Sequence, residues 1–115
     1  MGIAACSQIP MQASTLTPEQ SPAKYVLDQT ANGGPPWGKN VQLKAGSSWN
    51  LIGTLPQGTV LCPLDTVVVA RMGSDANAHE ACLVVRDDKW GGFWLRYESA
   101  FSPLEQPTPI QLRKE

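Results

Sequence analysis

The stretch from Leu43 to Leu61, "LKAGSSWNLIGTLPQGTVL", decides how this chain is read. It holds no acid, no base beyond Lys44 and no cluster of nucleophiles. Its apolar residues are punctuated by glycine. Within "WNLIGTL", alternation places Trp49, Leu51 and Leu55 on one side of a strand and Asn50, Ile52 and Thr54 on the other. The segments 45–48 and 56–58 read as tight turns, with Gly46 and Gly58 where positive φ is needed. Gly53 falls inside the strand, where a missing side chain permits a bend or the close approach of another backbone. The segment offers shape and no reactive chemistry.

Outward from this stretch, the chain from Asn40 onward reads as short strands joined by turns. "VQLK" alternates apolar and polar residues. "TVLC" leads through Pro63 into the β-branched run "DTVVVAR". Met72 to His79 is a polar loop, and "EACLVVRD" is a strand with Ala81, Leu83 and Val85 on one face. Asp87, Asp88 and Lys89 turn the chain into "WGGFWLRY". "ESAFSPL" fits one turn of 3₁₀ helix, and "TPIQL" a last edge strand limited by Pro107 and Pro109. Five or six short strands at close spacing predict a small all-β barrel or sandwich. No repeat is visible.

Residues 7 to about 38 read instead as a tail. They are rich in Ser, Thr, Gln and Pro, and too poor in large apolar residues to offset their ordering entropy. Ser21-Pro22 fits the start of a short helix through "AKYVLDQ", and the same residues fit a short strand. Ala31 to Gly38 is loop by its Asn-Gly, Gly-Gly and Pro-Pro pairs. The expected organisation is therefore a flexible tether over 1–38 and a β domain over 39–115.

The whole chain has 115 residues, nine Lys+Arg against ten Asp+Glu, and a formal net charge of -1. That length suits one domain with a modest core. No basic block tracks a phosphate backbone, which argues against nucleic acid as a partner. No apolar run is long enough to span a bilayer as a helix.

The start, "MGIAACSQ", is similar to a bacterial lipobox. An aliphatic Ile3 and two small residues precede Cys6, the residue that is lipidated in that pattern. No charged and apolar signal region stands before it, so the resemblance implies a lipoprotein whose signal was trimmed or lost to start-site choice. The alternative is a small-residue terminus with a stray cysteine. N-myristoylation at Gly2 is disfavoured, because Cys6 stands where that motif prefers Ser or Thr. If Cys6 carries lipid, Cys62 and Cys82 remain as an even pair among three cysteines. In an oxidising periplasm they are available for a disulfide. Closing a loop of about 20 residues would contribute roughly 3 kcal/mol. In a cytosolic protein both would be small buried hydrophobes.

The residues 41–60 also resemble the first half of a bacterial SH3 (SH3b) domain. That family opens with an alternating strand and a glycine turn, here Val41 to Ser48. It continues with an aliphatic "G-x-L-x-x-G" hairpin, here Gly53-Thr54-Leu55-Pro56-Gln57-Gly58. Gly92 to Leu95 stands for its late glycine-closed strand and Ser99 to Phe101 for the following turn. The resemblance covers residues 40–103 and implies a small SH3-like barrel that binds a peptidoglycan stem peptide or a protein segment. The departures are "ACLVV" in place of a Trp-led middle strand and a long loop over 72–80. Both fall where the family's ligand groove is partly built.

Chemistry is sparse. His79, Cys82 and Cys62 could be imagined around zinc, but a fourth ligand and a paired C-x-x-C are missing. A Cys–His nucleophile pair spans a loop–strand junction and does not obviously face itself. Asp87 and Asp88 read as solvated turn residues rather than an acid/base pair. No phosphate loop, H-E-x-x-H or G-x-S-x-G occurs. The expectation is no enzyme, no metal and no cofactor.

Aromatic residues are the better clue, with four tryptophans in the chain. If Phe93 and Leu95 fill the core, Trp94 faces out. Trp90 stands beside a Gly-Gly turn. Trp90, Trp94, Trp49 and Tyr97 are the candidate ligand-binding residues, because exposed aromatics give rigid contact area. Each of them also fits a core cap. The reading is a non-enzymatic envelope lipoprotein in the periplasm, anchored to the outer membrane by lipid alone. Its ligand is peptidoglycan or an envelope protein. The rival readings are a structural or regulatory subunit of a secretion or conjugation apparatus and, behind that, a zinc or thiol enzyme. A spurious lipobox would make the protein cytoplasmic.

Overall fold

A computed structural model of the chain describes residues 12–34, 41–64, 68–71, 78–96 and 99–115, with side chains omitted at 22, 68–71 and 78–80. Among the described residues the protein is all-β, with every strand pairing antiparallel and no helix. The strands are β1 Gln12–Ala13, β2 Thr17–Leu27, β3 Ala31–Gly33, β4 Val41–Leu43, β5 Ser48–Leu55 and β6 Gly58–Pro63. They continue as β7 Val68–Arg71, β8 Ala78–Arg86, β9 Lys89–Leu95, β10 Ala100–Pro109 and β11 Leu112–Lys114. Nine of them form one sheet, in the order β1-β10-β9-β8-β6-β5-β2-β11 with β7 on β8, and β3 pairs β4 separately.

This corrects the expected tether and the expected strand number. β2 runs through "TPEQSPAKYVL" and lies between β5 and β11, so residues 17–27 belong to the sheet. Residues 23–26 pair with β5 and residues 25–27 with β11, and this backbone pairing supplies what the polar composition withholds. The stretch open to either helix or strand is strand. The expected loop from Ala31 places its first three residues in β3, and the 3₁₀ turn expected around Ala100 is the start of β10. Residues 72–77 of the polar loop lie outside the described residues, while Ala78 and His79 begin β8.

The sheet is an open path with two ends, and short links force it to curl. β1 and β2 are six strand spacings apart in the order, roughly 29 Å in a flat sheet. The three residues 14–16 that join them reach at most about 14 Å. β10 and β11 are likewise six spacings apart and joined by residues 110–111 alone. Both links are satisfied only if one end of the sheet rolls toward the other. Across the gap, Ser14 Oγ donates to Gln57 Oε1 at 2.9 Å, and Gln57 Nε2 donates to Gln12 Oε1 at 3.3 Å.

Both sheet faces are apolar. The cluster inside the curl joins Leu27, Leu43, Trp49, Leu61, Leu83, Trp90, Phe93, Leu95, Leu104 and Ile110. It draws on β2 and β10, from opposite ends of the path. The other face gathers Leu55, Val60, Cys62, Cys82, Val84, Trp94 and Phe101, with Leu16 and Ile52 against them. The alternation expected along β5 holds for Trp49 and Leu51 and fails for Leu55, which sits with Ile52 on the opposite face. A register shift between Leu51 and Gly53 is the cause, since one extra residue exchanges the faces downstream. The shift falls at the glycine. A Cβ on Gly53 would meet the Thr17 carbonyl and Leu16, so the close backbone approach expected there is realised. Gly46 and Gly58 adopt the expected positive φ, at 86° and 151°.

Candidate functional site

Four expected aromatic ligand residues have different fates. Trp49 on β5 is buried, and its indole N–H donates to Ser47 Oγ at 2.9 Å. Ser47 Oγ in turn donates to the Lys44 carbonyl at 2.6 Å, which fixes the ring to the preceding turn. Trp90 at the start of β9 is fully buried and donates to the Gly92 carbonyl at 3.0 Å. It meets Phe93 edge to face, with centroids 5.5 Å apart. Trp94 is 8% exposed and lies on the opposite face with Cys62, Cys82 and Phe101. The outward orientation of Trp94 is thus correct, but its exposure is not, because the outer face is covered as well. Buried this way, the three tryptophans present no open ring face to a ligand. Tyr97 and Cys6 lie outside the described residues.

Cys62 and Cys82 form a disulfide across β6 and β8, with Cα atoms 4.5 Å apart. They stand directly opposite each other, since Val60 pairs Val84 and Leu61 pairs Leu83. A Cα separation of about 4.5 Å is that of a non-hydrogen-bonded antiparallel pair. With both sulfurs bonded, neither is a thiolate for zinc or for nucleophilic attack, which removes the sulfur half of the zinc and Cys–His readings in this state. His79 pairs through its backbone with Ala70, and its side chain is outside the described residues. Among the described residues, no three His, Cys, Asp or Glu side chains gather as a metal site. Asp87 and Asp88 are exposed in the β8–β9 turn. They are turn residues, as expected.

The structure also brings together residues that the sequence keeps far apart. Where β11 ends alongside β2, an open depression of about 360 Å³ is lined by Ser21, Ala23, Lys24, Lys114 and Glu115. Glu115 N donates to the Lys24 carbonyl at 2.8 Å, the last rung of that ladder. Beyond it, β2 continues without β11. Arg113 Nε meets Asp28 Oδ1 at 3.1 Å and ties the other end of β11 to the chain after β2. The depression carries the ammonium groups of Lys24 and Lys114, the Glu115 carboxylate and the Ser21 hydroxyl, a polar and mixed-charge lining. No sequence signal pointed there, because Lys24 and Lys114 meet only through β2–β11 pairing. The adjoining stretch of β2 holds Pro18 and Pro22, which lack N–H donors.

Among the described residues, Trp94 Nε1 is the one buried side-chain polar atom without a hydrogen-bond partner. It lies in the apolar outer cluster beside the disulfide cysteines. No family model, curated protein or solved structure matches this chain.

Proposed function

We propose that this protein is a non-enzymatic bacterial envelope lipoprotein, acylated at Cys6 and acting as a periplasmic docking module for another envelope protein. The Cys62–Cys82 disulfide is the observation that carries the reading, because such bonds persist in oxidising compartments and are rare in the cytosol. The lipobox-like residues 3–6 supply the anchor. Protein docking is favoured over peptidoglycan binding, since Trp49, Trp90 and Trp94 are committed to the two cores. An SH3-like core remains part of the proposal. The stretch that resembles SH3b, residues 40–103, runs from β4 into β10. Its strands β5, β6, β8, β9 and β10 lie side by side as antiparallel neighbours, while β7 pairs β8 off that path and β4 pairs β3 in a separate sheet.

The position of β1 changes what the anchor does. Gln12 is already in the sheet, so six Cα steps separate it from Cys6. They reach at most about 21 Å. A lipid on Cys6 therefore holds the β domain close to the membrane surface, within reach of a membrane-embedded partner.

The test is fractionation of cells producing the full-length gene product and its Cys6→Ala variant, with palmitate labelling and cross-linking. The parent protein is expected to carry label, to sediment with outer membranes and to cross-link to a protein. The variant is expected in the soluble periplasm. Unlabelled protein in the cytosol, with Cys62 and Cys82 open to alkylation, would overturn the reading. Retention on purified sacculi without any protein cross-link would replace protein docking with peptidoglycan binding.

A further inference from the structure

We infer that the Cys62–Cys82 bond is a redox-sensitive clamp on an arm of the sheet, formed by β7 and the first residues of β8. β8 changes partner along one side. Residues 83–85 pair with 59–61 of β6, whereas residues 78–81 pair with β7. The fork falls at Cys82, and the disulfide joins it to the residue of β6 directly opposite. On the other side of β8, the ladder with β9 ends at Ala81 and Leu95. Among the described residues, 78–80 thus have β7 as their only strand partner, and β7 lies off the main sheet path.

A two-stranded ribbon without a third strand is marginal in water. Whether the arm stays closed depends on what holds its base, and the disulfide sits there. A dithiol reductant opens it by exchange. A thiolate attacks the sulfur of Cys62, the more exposed of the two residues at 9% against 2%. The protein S–S bond breaks, Cys82 leaves as a thiolate and takes up a proton, and a mixed disulfide forms at Cys62. The reductant's second thiol then displaces Cys62, which also ends as a thiol, and the reductant departs as a cyclic disulfide. The remainder of β8 stays held between β6 and β9 by residues 83–85. The edges released belong to β7 and residues 78–80. This inference uses the disulfide and the strand fork only, and stands whether or not Cys6 is acylated.

The test is amide hydrogen exchange followed by mass spectrometry on the full chain, in the oxidised protein, after dithiothreitol, and in the Cys62→Ala/Cys82→Ala variant. Residues 68–71 and 78–80 are expected to exchange at least about tenfold faster in the reduced protein and in the variant. Residues 49–55, 83–85 and 93–95 are expected to change far less. Equal acceleration in the arm and the main sheet, no acceleration in either, or unfolding of the reduced protein would overturn the clamp. So would a bond that dithiothreitol leaves intact in the folded protein, read from the mass after alkylation.

Discussion

Gly33 shows how much one missing side chain decides. A Cβ there would stand 2.7 Å from Trp90 Cζ3, against a ring that is fully buried. The ring is held from other directions by the edge of Phe93 and by its hydrogen bond to the Gly92 carbonyl, so it has little room to move. Gly33→Ala is expected to cost about 1–3 kcal/mol through overpacking. Denaturant unfolding monitored by tryptophan emission measures it, and an unchanged midpoint would contradict the packing described. The Asn32-Gly33 pair reads in sequence as a turn. Trp90 reads as exposed beside Gly91 and Gly92. Glycine permits close approach, but the approaching residue is 57 positions away in the chain. Local patterns carry no record of such a meeting. Trp94 teaches the same lesson. Alternation correctly put it opposite Phe93 and Leu95, and only the assembled outer cluster reveals that this face is dry as well.

The hairpin of β8 and β9 is legible as an element; the turn expected over Asp87, Asp88 and Lys89 is formed by Asp87 and Asp88, and Lys89 begins β9. The turn has both central residues at positive φ, 55° and 63°, as the tight primed hairpin turns require. Aspartate tolerates that region less well than asparagine or glycine. The Asp87→Asn/Asp88→Gly variant is therefore expected to gain about 1 kcal/mol. Thermal unfolding checks this, and a lower midpoint would mean that the aspartates hold the turn by contacts of their own. Other element bounds were less legible. The sequence of β5 reads as one uninterrupted alternation, and the register shift between Leu51 and Gly53 places Leu55 on the opposite face. β10 was divided between a 3₁₀ turn and an edge strand around prolines. It is continuous because Glu105 N donates to the Gly34 carbonyl at 3.1 Å where its register with β9 shifts. That compensating partner comes from the other end of the chain.

At the scale of the whole molecule, the boundary expected near residue 38 has no counterpart in the sheet. β2 lies between β5 and β11, Leu27 is fully buried in the inner cluster, and Gly33 backs Trp90. A fragment starting at Asn40 would leave β5 an unpaired edge and open the inner core to water. Such a fragment is expected to lack dispersed amide resonances and a cooperative melt, whereas the full chain shows both. A fragment that folds by itself would restore the tether reading. The same curl explains why the charged depression at Lys24 and Lys114 was invisible beforehand. It exists only because residues near the two ends of the chain share a ladder.

The order of residues alone determined the strand-forming stretches from Val41 onward, their main turns, and the glycines that bend or approach. These follow from side-chain alternation and from φ limits that act over two to four neighbours. Tertiary structure alone decided that the polar N-terminal stretch is a strand of the main sheet, that both faces of the sheet are buried, and that the cysteines of β6 and β8 meet at a fork. Backbone hydrogen bonds and covering contacts between distant segments make those choices, and they are blind to the local composition from which a sequence is read.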